Sequence, residues 1–117
     1  MTKKKILLVE DENSIREMIR CLLELEGYTV LTATNGKEGL EVLRGTSSLC
    51  LILLDMTMPK MNGWDFLDRL KADAEAANIP VVVMSAHQGS EVPRPNAFVQ
   101  KPVQLNTLLN TVKRHCA

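Results

Sequence analysis

Five short apolar runs alternate with segments of helical period along this chain, and that order constrains the fold more than any other feature. Lys5 to Val9, Tyr28 to Ala33, Leu49 to Leu54, Val81 to Met84 and Ala97 to Gln100 are mostly aliphatic, each of strand length. Between them Ile15, Met18, Ile19, Leu22 and Leu25 recur at helical spacing, as do Leu40 with Leu43, and Phe66, Leu67 and Leu70. After the last run, Leu105, Leu108, Leu109 and Val112 do the same. Strands that are apolar on both faces and joined by helices predict a parallel sheet covered on both sides, with right-handed crossovers. The expected architecture is a doubly wound α/β fold. A chain of 117 residues has room for one such unit, so residues 1–117 are read as a single domain with no output domain.

Local signals place the element ends. Ser14 with Glu17 can form a capping box on the first helix and Gly27 stops it. Asn35 with Glu38 can cap the second, which Gly45 ends. The third runs from Gly63 to about Ala76 before Asn78 and Pro80 break it, and the last ends at Lys113 and Arg114. The interval between the fourth and fifth strands departs from the alternation. Pro93 and Pro95 each lack an amide donor and restrict the residue before them, so at most a turn or two of helix fits ahead of Pro93. The segment Gln88 to Asn96 is expected to be a loop in place of most of a fourth helix.

Fourteen lysines and arginines balance fourteen acidic residues, and the basic residues form no stripe interleaved with aromatics, which argues against direct nucleic-acid binding. The lysines at positions 3 to 5 are read as a solvated leader. No apolar run approaches the roughly 20 residues of a membrane span, and no signal peptide opens the chain, so a cytoplasmic protein without membrane insertion is expected. Cys21, Cys50 and Cys116 are odd in number, far apart and without CxxC spacing. They are expected to be reduced, structural thiols.

The chemistry-bearing residues stand where strands end. In a parallel sheet Glu10 and Asp11 after the first strand, Asp55 after the third, Ser85 after the fourth and Lys101 after the fifth share one edge, where open α/β folds place their sites. Three carboxylates brought together repel one another, and hard oxygen ligands suit hydrated Mg²⁺, with Mn²⁺ as an alternative. Glu10 to Glu12 also reads as a solvated helix N-terminus, favoured by the dipole, and the triplet alone leaves both readings open. Met56, Met58 and Met61 are packing residues beside these hard acids and not a soft-metal site.

LLVEDE at 7–12, DMTMPKMNG at 55–63, VVVMSA at 81–86 and FVQKP at 98–102, in this order and spacing, resemble the receiver domain of two-component response regulators of the chemotaxis-regulator kind. The resemblance covers nearly the whole chain. It implies a flavodoxin-like sheet of strand order 2-1-3-4-5 and a phosphoacceptor, Asp55, that takes a phosphoryl group from a sensor histidine kinase or histidine phosphotransfer protein to give 4-aspartylphosphate. Asp11, Asp55 and the backbone carbonyl of Thr57 would bind Mg²⁺ directly, and Glu10 through metal-bound water. Ser85 and Lys101 would grip the phosphoryl oxygens, and the Lys101–Pro102 bond resembles the family's cis peptide. Thr57 and His87 match positions that tune phosphoryl lifetime. Ser85 and Phe98 match the switch pair, and Phe98, without a phenolic hydroxyl, could act only by packing. Such a chain is no conventional enzyme: it catalyses its own phosphorylation and dephosphorylation and passes the change to an unknown downstream protein.

Three rivals compete with this reading. A haloacid-dehalogenase-type aspartyl-phosphate hydrolase would want a second Asp, which Asp55, Met56 and Thr57 do not supply. A pseudoreceiver adaptor would keep the fold without phosphorylation, against the intact acid, Ser and Lys set. A flavin- or nucleotide-binding flavodoxin-like protein would want a glycine-rich or hydroxyl-rich phosphate loop after the first strand, where this chain has acids.

Overall fold

The computed structural model describes residues 4–55, 63–73, 77–85, 97–100 and 103–116. Its elements are β1 (Lys5–Val9), α1 (Asn13–Leu25), β2 (Thr29–Ala33), α2 (Gly36–Arg44), β3 (Leu49–Asp55), α3 (Gly63–Ala72), β4 (Val81–Ser85), β5 (Ala97–Gln100) and α4 (Leu105–His115). The strands form one parallel sheet of order β2-β1-β3-β4-β5, the flavodoxin-like order that the resemblance implied. The loop expected over Gln88 to Asn96 lies outside the described residues. Among the described helices none is long and apolar enough to cross a membrane.

The continuous apolar runs follow from a sheet covered on both faces. Alternate residues of one strand feed two separate layers: Leu7 and Val9 of β1 and Ile52 and Leu54 of β3 pack with Leu40 of α2 and Phe66 of α3. Ile6 and Leu8 of β1 and Leu51 and Leu53 of β3 pack with Ile19 of α1 and Leu108 of α4. At Gly39 the α2 backbone comes so close to β1 and α3 that a β-carbon would lie 3.0 Å from both Phe66 Cε1 and Val9 Cγ2. Only glycine fits without a shift there.

Helix ends follow the expected signals in part. Asn35 Oδ1 accepts from the Glu38 amide at 2.9 Å, while the Glu38 carboxylate accepts from the Thr34 amide and hydroxyl, at 3.3 and 3.0 Å. Side chain and backbone thus satisfy each other's donors at the start of α2. Gly27 follows α1 at φ +96°, a conformation that costs glycine little. The capping box expected from Ser14 and Glu17 does not form. The N-cap of α1 is Glu12, whose side chain makes no cap bond, and the Ser14 hydroxyl donates to Glu12 Oε1 at 3.1 Å instead. Helix α3 ends at Ala72, short of the expected Ala76. Helix α4 runs one residue past Arg114, so His115 is helical and its Nδ1 lies 3.0 Å from the Thr111 carbonyl.

The expectation that all three cysteines are separate thiols is corrected. Cys50 and Cys116 are joined by a disulfide, with their α-carbons 5.4 Å apart, and Cys21 is free and exposed. Sequence separation hid the pair: the sheet order brings the start of β3 under the end of the last helix.

Candidate functional site

Parallel pairing sets all strand exits on one edge. Val9 pairs with Leu54, so Glu10, the next residue after β1, stands level with Asp55 at the end of β3. Asp55 in turn pairs with Met84, which puts the exit of β4 at Ser85 on the same rim. The Glu10 amide donates to the Ala33 carbonyl at 3.0 Å, continuing the β1 ladder by one bond and holding this acid at the mouth of the core.

One carboxylate oxygen from each of Glu10, Asp11 and Asp55 lies within 4.8 Å of the other two, the one such cluster of acidic, His or Cys ligands among the described residues. Their surroundings differ. Glu10 and Asp55 are each 1% exposed, whereas Asp11 reaches solvent. Glu10 Oε2 accepts from the Glu12 amide at 3.2 Å, and Oε1 is buried with no donor on it among the described residues. Burial, then the charge of Asp55, drive the Glu10 carboxyl from an ordinary 4.5 up to about 8, and hydrogen bonds with Asp55 and Asp11 add to the rise against the Glu12 amide. Burial and crowding thus favour a proton or a cation in the cluster over three bare carboxylates. Acid triplets that merely cap a helix are solvated, and Glu10 is not. The solvated reading left open above is thereby excluded for this residue.

Hard oxygens, two of them on buried carboxylates, fit a small divalent cation with open coordination positions. Glu10 Oε1, a buried oxygen that lacks a donor among the described residues, fits a site that a cation or its bound water would complete.

Arg16 was not singled out by sequence reasoning. Its Nη1 donates to the Glu10 carbonyl at 3.0 Å and reaches the Asp11 carbonyl at 3.5 Å, and its Nη2 bonds Asn13 Oδ1. The guanidinium thereby ties the turn that carries two acids to the first turns of α1. No motif marks it, because an arginine near the start of an amphipathic helix reads as ordinary surface charge.

The remaining expected site residues are reached in part. Ser85 is placed as the last residue of β4, and Phe98 pairs with Val83 as the second residue of β5. Thr57, His87, Lys101 and Pro102 lie outside the described residues, as do Met56, Met58 and Met61.

Similarity to known proteins agrees with this geometry. Residues 6–113 match the family model of the response regulator receiver domain. The transcriptional regulatory protein CpxR homolog of Haemophilus influenzae is 42% identical over 90 residues, which cover 77% of this chain and 37% of that protein. The chain thus spans about a third of the length of the curated relatives it matches. Among solved structures, the chemotaxis response regulator CheY4 of Vibrio cholerae superposes with TM-score 0.89 at 28% identity, covering 97% of this chain and 98% of that one. The signal receiver domain of a signal transduction histidine kinase from Syntrophus aciditrophicus gives 0.88 at 29% identity, covering 97% and 89%. With its parallel five-stranded sheet and the acid cluster on the carboxyl edge, the chain belongs to the family of response regulator receiver domains, the phosphorylation-activated signalling modules of two-component systems.

Proposed function

We propose that Asp55 is the phosphoacceptor of this receiver, and that it takes its phosphoryl group from the phosphohistidine of a sensor histidine kinase or histidine phosphotransfer protein. The observation that carries the reading is the convergence of Glu10, Asp11 and Asp55 within 4.8 Å, two of the three buried. An Asp55 oxygen attacks the phosphorus, an O–P bond forms, the P–N bond to the donor imidazole breaks, and the imidazole leaves with the electron pair. Transfer of this kind depends on position and charge more than on bond-making by the protein. Asp55 is suited to position: it is the last residue of a strand paired on both sides, so its carboxylate is held by the sheet and not by a loop.

Asp11, Asp55 and the backbone carbonyl of Thr57 would hold Mg²⁺, with Glu10 acting through metal-bound water; when bound the ion supplies positive charge between the acids and the incoming phosphoryl oxygens. Asp11, exposed, offers its carboxylate without the desolvation that burdens Glu10. A cation held there would favour the deprotonated form of the Glu10 carboxyl. Ser85, at the end of β4, would offer its hydroxyl as a donor, and Lys101, which follows directly on β5, its ammonium. Phe98, on β5, would follow the movement of Ser85, and Thr57 and His87 would set how long the phosphoryl group lasts. The cytoplasm, where kinase domains and their phosphodonors reside, is the expected compartment, and a downstream protein the expected reader.

Incubation with a small acyl phosphate, with and without Mg²⁺, tests the reading by intact mass. Wild type gains one phosphoryl group only with the metal, and Asp55→Asn gains none. Wild type that gains nothing under any metal condition would identify a pseudoreceiver instead.

A further inference from the structure

The amino end of β3 carries a feature that phosphotransfer does not use. Lys5 of β1 pairs with Leu49, but the next residue, Ile6, pairs with Leu51, so Cys50 is an extra residue on β3, a β-bulge. Bulges re-aim side chains, and this one breaks the alternation of the strand. Leu49 packs in the layer under α2 and α3, whereas Cys50 and Leu51 both pack in the layer under α1 and α4. That second layer contains Cys116. The α-carbons stand 5.4 Å apart, inside the range that a disulfide spans without backbone movement.

The two sulfurs have unequal surroundings. Cys116 is 3% exposed, and its amide closes the last turn of α4 on the Val112 carbonyl at 2.8 Å. Lys4 Nζ donates to the Cys116 carbonyl at 3.1 Å and so holds the chain end against the amino end of β1. Cys50 is half-buried, the more accessible residue of the pair.

We propose that Cys50 and Cys116 are a reversible redox modification site, which exchanges with low-molecular-weight disulfides and fastens the end of α4 to β3 in its oxidised state. The Cys50 thiolate attacks one sulfur of a small disulfide, forming a mixed disulfide and releasing one small thiolate. The Cys116 thiolate then attacks the Cys50 sulfur, the protein bond forms, and the second small thiolate leaves. Two electrons pass from the protein thiols to the small disulfide, and the two thiol protons end on the released thiols. Excess small thiol runs both steps backwards. Oxidation closes a loop of sequence separation 66, which constrains the unfolded chain strongly. It also fixes the helix that packs against α1 and β5.

The test is a titration of the full chain across ratios of reduced to oxidised glutathione, with alkylation of remaining thiols and peptide mapping. The expected result is a Cys50–Cys116 crosslink whose fraction rises from near zero to near one within that range, while Cys21 forms only mixed disulfide. Reduction should lower Tm by about 10 °C and speed amide exchange in the last turns of α4. Cys50→Ser should lose both responses and remain folded, with Cys116 unreactive until denaturation. A pair that stays reduced at every ratio would overturn the proposal, and so would a pair that stays oxidised at every ratio, since that bond would be permanent.

Discussion

The two ends of β3 carry opposite kinds of chemistry on one strand. At its exit Asp55 is a buried carboxylate crowded by Glu10 and Asp11, an arrangement that costs stability until a cation or proton relieves it. At its entry Cys50 is bonded to the end of α4, an arrangement that adds stability and has no charge. Between them Leu51 to Leu54 are fully buried, alternately serving two layers. The lesson is that a receiver sheet separates its functions by length: about 3.3 Å per residue over five residues puts roughly 16 Å of packed aliphatic side chains between acid and sulfur. Changes at one end should leave the other almost untouched.

The largest effect that would break this comparison comes from the exit. Asp55→Asn should lower phosphorylation by a small acyl phosphate at least about 1,000-fold, as expected when a nucleophile is removed, while metal-free Tm stays level or rises because repulsion in the cluster falls. Measured against it, Cys50→Ser should lower Tm under oxidising conditions and change the phosphorylation rate less than about twofold. Coupled effects in both assays would show that the strand does not insulate its ends.

Acidity sharpens the same contrast. The Glu10 carboxyl, raised by burial to about 8 from an ordinary 4.5, keeps its proton in the folded chain across a window in which the unfolded chain has lost it. Metal-free stability should therefore fall as pH rises from about 4.5 to about 8 and level off above. Mg²⁺ affinity runs the other way. Binding that displaces this proton should strengthen by roughly tenfold per pH unit below about 8, and calorimetry in buffers of different ionisation heat should detect proton release. Glu10→Gln should flatten both profiles.

Arg16 offers a smaller effect. Removing the guanidinium that holds the Glu10 and Asp11 carbonyls should weaken Mg²⁺ binding by about tenfold in Arg16→Ala, as loss of a group that orients metal ligands usually does. Helical content should be unchanged by circular dichroism. Smallest is Asn35→Ala, which removes the cap of α2 and should cost about 1 kcal/mol of stability by urea denaturation.

The fold was legible where local chemistry and global packing agree. Continuous aliphatic runs announce strands buried on both faces, and Asn35 with Glu38 announces a helix start because the bond that it makes is local. The acid cluster was legible for the same reason, since parallel strands deliver every exit to one edge. What escaped detection depends on contacts that span the chain. Ser14 and Glu17 have the letters of a capping box, yet Glu12 takes the cap position. The burial of Glu10, as against the exposure of Asp11 and Glu12, follows from one more ladder bond to Ala33, which no run of residues encodes. The cysteine pair needed both the sheet order and a bulge at Cys50, and neither leaves a mark in the spacing.

The central claim is that Asp55 receives the phosphoryl group in a cation-dependent centre. Borohydride trapping of the phosphorylated chain followed by peptide mapping tests it most directly, because reduction of an acyl phosphate marks the acceptor residue itself. The account predicts that the mark falls on Asp55 and disappears when Mg²⁺ is chelated before the donor is added. A mark on Glu10, Asp11 or any other residue, or a mark on Asp55 that forms equally well without a divalent cation, would contradict it.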